Sequence, residues 1–591
     1  MPELDIDGPG ASLVSSSPCT ACPAPAEVVG AVSDNKLLIQ DFCPVENSID
    51  WKLGQLYFRQ RGHHSFLSGD VPFTINNDGY FSKHAAELLF TSLVEAERRG
   101  PLPARVSVLE LGAGIGLFAR FLLDNFSSLC QSHGKDYYRR LSYHVTDGSP
   151  RMIDDLLRSP ILRPHAAQCR VSVADARLPD MAVVQDGSSP VLQAVFLNYV
   201  LDSLPATFLR FPASGPERLY VRTRLPRGLR TLDYSRLEQE ELLLIAQSDD
   251  TSRWETLVDF HPLFSLDFEF RPCSPEGLPY IDEARGLACP ENPLVVSNYA
   301  AVETLRRLLP LLSPGGFILI GDYAQSSMPS QAKPGDPPPP PPYQRYGGAT
   351  AIGLNFDLFK KCFDSLSGVR WVEPFEENEH LHSRLLAREP DAATVQQFKS
   401  RFSKTLFDWT HQPTETAREL RRNGRHDSAM ACFREALVRQ PSNWALCVEV
   451  ANHMLSRNEP ESAKSLAESA LRLNPLSSEA WNILGDALWA LDSTGQAHRA
   501  FLQALHVYPA DVRARHNLVY TFSKLGDLAS ALQMIAEGLC LDTPCHYRDR
   551  LLERQREILA RIDHRQKTQS RIMSERSLGF QRGEARSPFV E

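Results

Sequence analysis

Fifteen residues limit the fold more than any others: Val106-Ser-Val-Leu-Glu-Leu-Gly-Ala-Gly-Ile-Gly-Leu-Phe-Ala-Arg120. Val106, Val108, Leu109 and Leu111 predict a short buried strand, with Glu110 near its carboxyl end. Gly112, Gly114 and Gly116 then turn the chain, and an amphipathic helix is expected over Leu117–Asn125. Strand, glycine turn and helix in that order make a nucleoside-binding crevice in an open parallel sheet. Glycines there let backbone N–H groups come close to a ligand, because no Cβ intervenes. The Gly-x-Gly-x-Gly spacing is not the dinucleotide Gly-x-Gly-x-x-Gly. No Lys-Ser/Thr follows to make a phosphate-binding loop.

The chain has 591 residues, too many for one core, and several domains are expected. A net charge of -9 argues against a dedicated nucleic-acid binder. No apolar run reaches transmembrane length, so no membrane partner is expected. The acidic start Met1-Pro-Glu-Leu-Asp-Ile-Asp lacks a charged-then-apolar signal and the Arg-rich character of a transit peptide. The 12 cysteines have no framework spacing, which suits a reducing cytoplasm, and no metal site is expected. Cys19-Thr-Ala-Cys22 is a lone pair in a Pro/Ser-rich leader. Residues 1–35 are expected to be disordered, and 36–100 to form a helical N-terminal lid. Tyr80, Phe81 and His84 either close over a ligand or pack that lid on the domain.

The acid directly before the glycines, Glu110-x-Gly-x-Gly-x-Gly, resembles motif I of class I S-adenosylmethionine (SAM) methyltransferases. The expected later elements follow in order. Ser142–Thr146 predicts a second strand ending at Asp147, placed to accept hydrogen bonds from ribose hydroxyls. Cys169–Val173 predicts a third, followed by Asp175, which in this fold class reaches the adenine amino group. Val191–Leu197 predicts a fourth. It runs into Asn198-Tyr199-Val-Leu-Asp202-Ser-Leu-Pro205, where polar groups would face the transferred methyl. An insertion over 206–293 would shape the substrate pocket. A helix over Asn298–Leu312, a fifth strand ending at Asp322-Tyr323, a six-proline run at Pro337–Pro342, a helix over Phe356–Leu366 and a closing hairpin complete the domain.

Several of these stretches are similar to the MidA family, which includes the mitochondrial complex I assembly-factor methyltransferase. The family's Asn-Glu-x-x-Asp-Ala-x-Pro stretch appears as Asn198 to Pro205, its Asp-Tyr-Gly as Asp322-Tyr-Ala324, and its Glu-x-Ser-Pro as Asp147-Gly-Ser-Pro150. Its tyrosine-glycine and Thr-x-His-Val-Asp-Phe stretch is matched loosely by Tyr346 to Asp357. The resemblance spans about residues 70 to 390 and implies SAM-dependent methylation of protein arginine. Tyr199 replaces the family's acid after Asn, and the family's histidine is absent. A guanidinium needs a carboxylate for a bidentate pair, which Tyr199 does not supply. Fold and cofactor therefore carry over better than the acceptor.

The last third is periodic. At a spacing of 34, Ala429, Ala463, Ala497 and Ala531 share one column, and Phe433, Ala467, Phe501 and Ile535 a second. Ala436, Ala470, Ala504 and Gly538 form a third, and Pro441, Pro475 and Pro509 a fourth. This is the tetratricopeptide pattern of two helices per repeat, whose stacking leaves a concave groove for a protein or peptide partner. Repeats are expected over 410–545 after a linker at 391–409. A capping helix over Tyr547–His564 and a disordered tail would fill 546–591.

The expected fold is thus an α/β Rossmann-like class I methyltransferase domain over 101–390, followed by an all-α tetratricopeptide solenoid. Glu110, Gly112, Gly114, Gly116, Asp147 and Asp175 would hold SAM, and Asn198, Tyr199 and Asp202 would face the acceptor. A non-catalytic scaffold and a small-molecule methyltransferase are the alternatives.

Overall fold

The computed structural model describes residues 36–69, 71, 78–182, 191–226, 239–248, 250–289, 294–324, 343–378, 381–541 and 546–583. The Cys19/Cys22 pair, the 1–35 leader and the six-proline run lie outside them. The chain divides into two compact units, one running to Asn443 and one starting at Trp444.

In chain order the described strands are β1 (Lys36–Pro44), β2 (Val106–Leu111), β3 (Leu141–Asp147), β4 (Cys169–Val173), β5 (Leu192–Asn198), β6 (Thr207–Arg210) and β7 (Glu217–Pro226). They continue with β8 (Ser265–Pro272), β9 (Leu294–Ser297), β10 (Leu312–Asp322), β11 (Tyr343–Tyr346), β12 (Ala349–Ile352), β13 (Val369–Val372) and β14 (His382–Arg388). Seven form one sheet in the order β13-β14-β10-β5-β2-β3-β4. β4, β3, β2, β5 and β10 run parallel, and β14 runs antiparallel to both its neighbours. Every residue of β2 and β5 is buried, as expected of central strands covered on both faces. One face packs Phe118 and Phe317 against Phe196, at ring separations of 5.3 and 6.1 Å. The chain steps outward in one direction from β2 through β3 to β4, and in the other from β5 to β10. The strand order therefore reverses between β2 and β5, which opens a crevice beyond their carboxyl ends.

The segment expected as a helical lid begins instead with a strand. β1 pairs antiparallel with β7 and joins an antiparallel sheet built otherwise from β7 and β6 of the insertion and from β9 just after it, with β8 on the other edge of β7. Ile39 is buried, and β7 offers β1 an edge that would otherwise be unpaired. The lid helix proper, Ile49–Arg61, is capped by Ser48, whose hydroxyl accepts from Trp51 N at 3.1 Å. Tyr80 and Phe81 pack the following helix, Tyr80–Arg99, rather than lying over the crevice. The Phe81 ring sits between Phe118 and Phe402, and Tyr80 lies against Phe407 and His411.

The expected linker at 391–409 is also helical, over Ala392–Arg401 and into Lys404–Arg422. Val395, Phe398 and Phe402 give it a buried face. The first helix pair, Lys404–Arg422 and His426–Arg439, belongs to the first unit.

Beyond Trp444 three helix pairs follow: Trp444–Ser456 with Pro460–Leu473, Ser478–Ala490 with Thr494–Val507, and Val512–Leu525 with Leu528–Leu541. A last helix runs over Arg548–Gly583, well past the capping helix expected at Tyr547–His564. The 34-residue columns are the seams between paired helices: Ala463, Ala467, Ala470, Ala497, Phe501, Ala504, Ala531 and Ile535 are all fully buried. A Cβ on Gly485 would stand within 2.3 Å of the Phe501 ring. Gly485→Ala is therefore expected to destabilise the repeats by about 1–3 kcal/mol through overpacking. Gly495→Ala, where nothing lies within 4 Å, is expected to be neutral or slightly stabilising. Urea unfolding of the full chain reads both, and equal effects would sink the packing argument.

Candidate functional site

Gly112, Gly114 and Gly116 all have left-handed backbones, with φ of 72°, 54° and 83°. A Cβ on Gly112 would overlap Val200 at 2.3 Å, and one on Gly116 would overlap Leu156 at 2.6 Å. The turn is thus pressed against the loop after β5 on one side and the helix after β3 on the other. Asp147, at the end of β3, holds the turn in place. Its carboxylate accepts from Gly114 N at 3.1 Å and from Ser149 N at 2.9 Å. Burial raises the Asp147 pKa above the ordinary range, and those two N–H groups oppose the rise.

Glu110 is enclosed away from this turn. Its carboxyl accepts the Tyr143 hydroxyl at 3.0 Å, and Tyr143 stacks on Phe196 within the core. Burial pushes its pKa up to about 8. Asp175 follows β4, half-exposed, and is held by Arg177 through Nε at 3.0 Å and Nη2 at 2.6 Å. That pairing lowers its pKa.

Asn198 ends β5 in register with Gly321 of β10. It is 8% exposed, and among the described residues neither its amide nitrogen nor its amide oxygen has a hydrogen-bond partner. A buried amide with both ends unsatisfied costs folding energy. It stands at the strand-order reversal, between β2 and β10. Tyr199 follows in a left-handed conformation, φ 55°, that a bulky residue adopts only under constraint. Its N–H donates to Gly321 O at 3.0 Å, and its ring stacks on Tyr323 at 4.9 Å. Tyr323 in turn lies parallel to Tyr346, centroids 6.5 Å apart.

Asp202 is buried beside Asp322, which ends β10. Asp322 accepts from the N–H groups of Leu201 at 3.1 Å, Asp202 at 3.3 Å and Tyr323 at 2.8 Å. Burial pushes Asp202 up to about 7, and burial with the neighbouring Asp202 raises Asp322 well above the usual carboxylate range.

The lid helix roofs the crevice. Gln55 Nε2 donates to Ser203 O at 2.9 Å, and Ser149 Oγ donates to Phe58 O at 3.0 Å. Phe66 lies against Gly114, and Gly54 lies against Thr350. One short segment thus touches the loops after β2, β3 and β5 and the β11–β12 hairpin. Its anchor is Asp50, fully buried and invisible as such in the sequence. His261 Nε2 lies 2.9 Å from Asp50 Oδ1, while Tyr343 and Arg345 also bond the carboxylate. Burial alone would raise the Asp50 pKa; His261, Arg345 and Tyr343 outweigh it and hold it below the usual value.

Asn198, Tyr199 and Asp202 therefore follow one another at and just beyond the end of β5, in a loop that touches the glycine turn through Val200, and Asp147 holds that turn from the end of β3. Glu110 stands apart in the core, and Asp175 is bound to its own loop. Among the described residues, no group of three or more His, Cys, Asp or Glu is arranged to hold a metal, and no helix is long and apolar enough to cross a membrane.

Residues 451–495 match the tetratricopeptide repeat family model. The chain is 33% identical over 132 residues to mouse tetratricopeptide repeat protein 33, covering 21% of this chain and 50% of that protein. It is 36% identical over 90 residues to the human counterpart, covering 15% and 34%. The chain thus spans half or less of the curated relatives it matches. Among solved structures, a COG1565 superfamily member from Burkholderia thailandensis bound to S-adenosyl-homocysteine is similar at 15% identity and a TM-score of 0.38, covering 60% of this chain and 90% of that one. A MamA protein is similar at 18% identity and a TM-score of 0.23, covering 27% and 96%.

Proposed function

We propose that the first unit is a SAM-dependent methyltransferase of class I and that the tetratricopeptide repeats recruit its protein or carrier-bound substrate. The sheet order supports this: counted within the sheet it reads 6-7-5-4-1-2-3, with an antiparallel seventh strand. The observation that carries the reading is Asn198, a buried amide with both ends unsatisfied among the described residues, at the end of β5 beside β2, whose glycine turn Asp147 holds. These residues suit a nucleoside with an amino-acid tail. The backbone of Gly112–Gly116 would meet the tail, and the free lone pairs of Asp147 would meet ribose hydroxyls. Asp175 would reach adenine after turning from Arg177. The cofactor supplies an activated methyl on a sulfonium. The protein's own contribution is a roofed, water-poor crevice that orients the acceptor.

The test is calorimetric titration of SAM and S-adenosylhomocysteine into the full chain. Micromolar binding is expected, weakened about tenfold or more in Asp147→Ala by loss of charge-assisted bonds. No heat with either ligand would reject the reading. It would favour the scaffold alternative, which the replacement of an acid by Tyr199 supports. An arginine acceptor remains part of the proposal only through Asp202, since Tyr199 has no carboxylate.

A further inference from the structure

We propose that Asp202 and Asp322 form the proton-accepting wall of the acceptor pocket, so that the acceptor is a protic nucleophile, an N–H or O–H group, seated on the Tyr199–Tyr323–Tyr346 face. This rests on the cofactor reading above.

Asp322 ends β10 and Asp202 lies in the loop after the adjacent β5, a loop tied to the glycine turn through the Val200–Gly112 contact. The three backbone N–H groups on Asp322 already pin the loop after β5 to β10. A second buried acid adds nothing to that pinning and carries a desolvation penalty. Among the described residues neither carboxyl has an ion-pair partner. The titratable groups that face the pair are Tyr323, the residue after β10, Tyr346 on β11, whose phenol burial keeps neutral, and His382 on β14, in register with Asp322. Two such acids cannot both ionise, so they share one proton and carry one negative charge near neutrality. A pair of that kind is matched to taking a proton at working pH. In the step, the acceptor lone pair forms the bond to the methyl carbon. The S–C electron pair passes to sulfur, leaving a neutral thioether, and the acceptor's proton passes to the Asp202 carboxylate. A thiolate acceptor has no proton to lose and needs no such base.

The charge is testable without an acceptor. Sinefungin places an ammonium group where S-adenosylhomocysteine has none, next to the position of the methyl. At about pH 8 sinefungin is expected to bind about tenfold tighter than S-adenosylhomocysteine, and the preference is expected to fade as the pair gains its second proton toward about pH 5.5. In Asp202→Asn the preference at the higher pH is expected to drop at least about threefold while S-adenosylhomocysteine affinity holds. Should that variant fail to fold, the wild-type pH series decides by itself. A preference unchanged by pH, or by the substitution, with S-adenosylhomocysteine still bound, overturns the inference and leaves the cofactor reading intact. Binding of neither ligand overturns both.

Discussion

Asp50→Ala is expected to destabilise the first unit by about 3–5 kcal/mol, the range seen when one member of a buried ion network is removed. The carboxylate is fully buried and satisfies three side chains at once: His261 from the insertion, and Tyr343 and Arg345 from the hairpin beyond β10. His261 keeps one partner, Gly348 O at 2.9 Å, and Arg345 keeps Phe264 O at 2.7 Å. Each loses its acidic partner in a site with little access to water. Asp50→Asn preserves shape and part of the hydrogen bonding, so a smaller loss is expected. The lid helix, the insertion and the hairpin meet at this carboxylate, and the lid roofs the crevice. S-adenosylhomocysteine affinity is expected to fall along with stability. Calorimetric unfolding of both variants is the check, and a shift below about 1 kcal/mol for Asp50→Ala would show that the network contributes little.

The second large effect concerns pH. Glu110 has a folded-state pKa of about 8 against an ordinary 4.5, because burial disfavours its charged form. Between those values the folded chain holds one proton more than the unfolded chain. Stability from this group is therefore fully present below about 4.5 and declines as pH rises toward about 8. Glu110→Gln keeps the shape and still accepts the Tyr143 hydroxyl, but has nothing to ionise. It is expected to match wild type in acid and to become the more stable protein, by a few kcal/mol, toward pH 8. Denaturant unfolding across that range decides it. Parallel pH profiles for the two proteins would mean that Glu110 ionises freely where it lies. The comparison has to be a difference from wild type, because burial raises Asp147 and Asp202 in the same direction.

Glu110 also shows where local reading stops. Its place before the glycines marked it for the ligand, yet alternation along β2 turns its side chain toward Tyr143 and the core. Asp175 was expected at the adenine and stands after β4, but Arg177, two residues on, closes on it first. Asp147, expected at the ribose, stands at the end of β3 and accepts from Gly114 N of the glycine turn.

What the sequence by itself determined is everything with a short period or a local signature. The apolar runs predicted the parallel strands to within a residue or two at most ends. Three glycines predicted the turn, because only they adopt its φ at no steric penalty. The 34-residue columns predicted the paired helices, because small residues recur wherever two helices touch. Tertiary structure alone decided where the lid rests on the crevice loops, the unsatisfied Asn198 amide, the Asp202–Asp322 pair and the Asp50 anchor. Leu201 and Asp322 are 121 residues apart, and Asp50 and His261 are 211. Contacts at such separations leave no period in a sequence. They are fixed only when burial removes water as the competing partner, and each polar group must then find another.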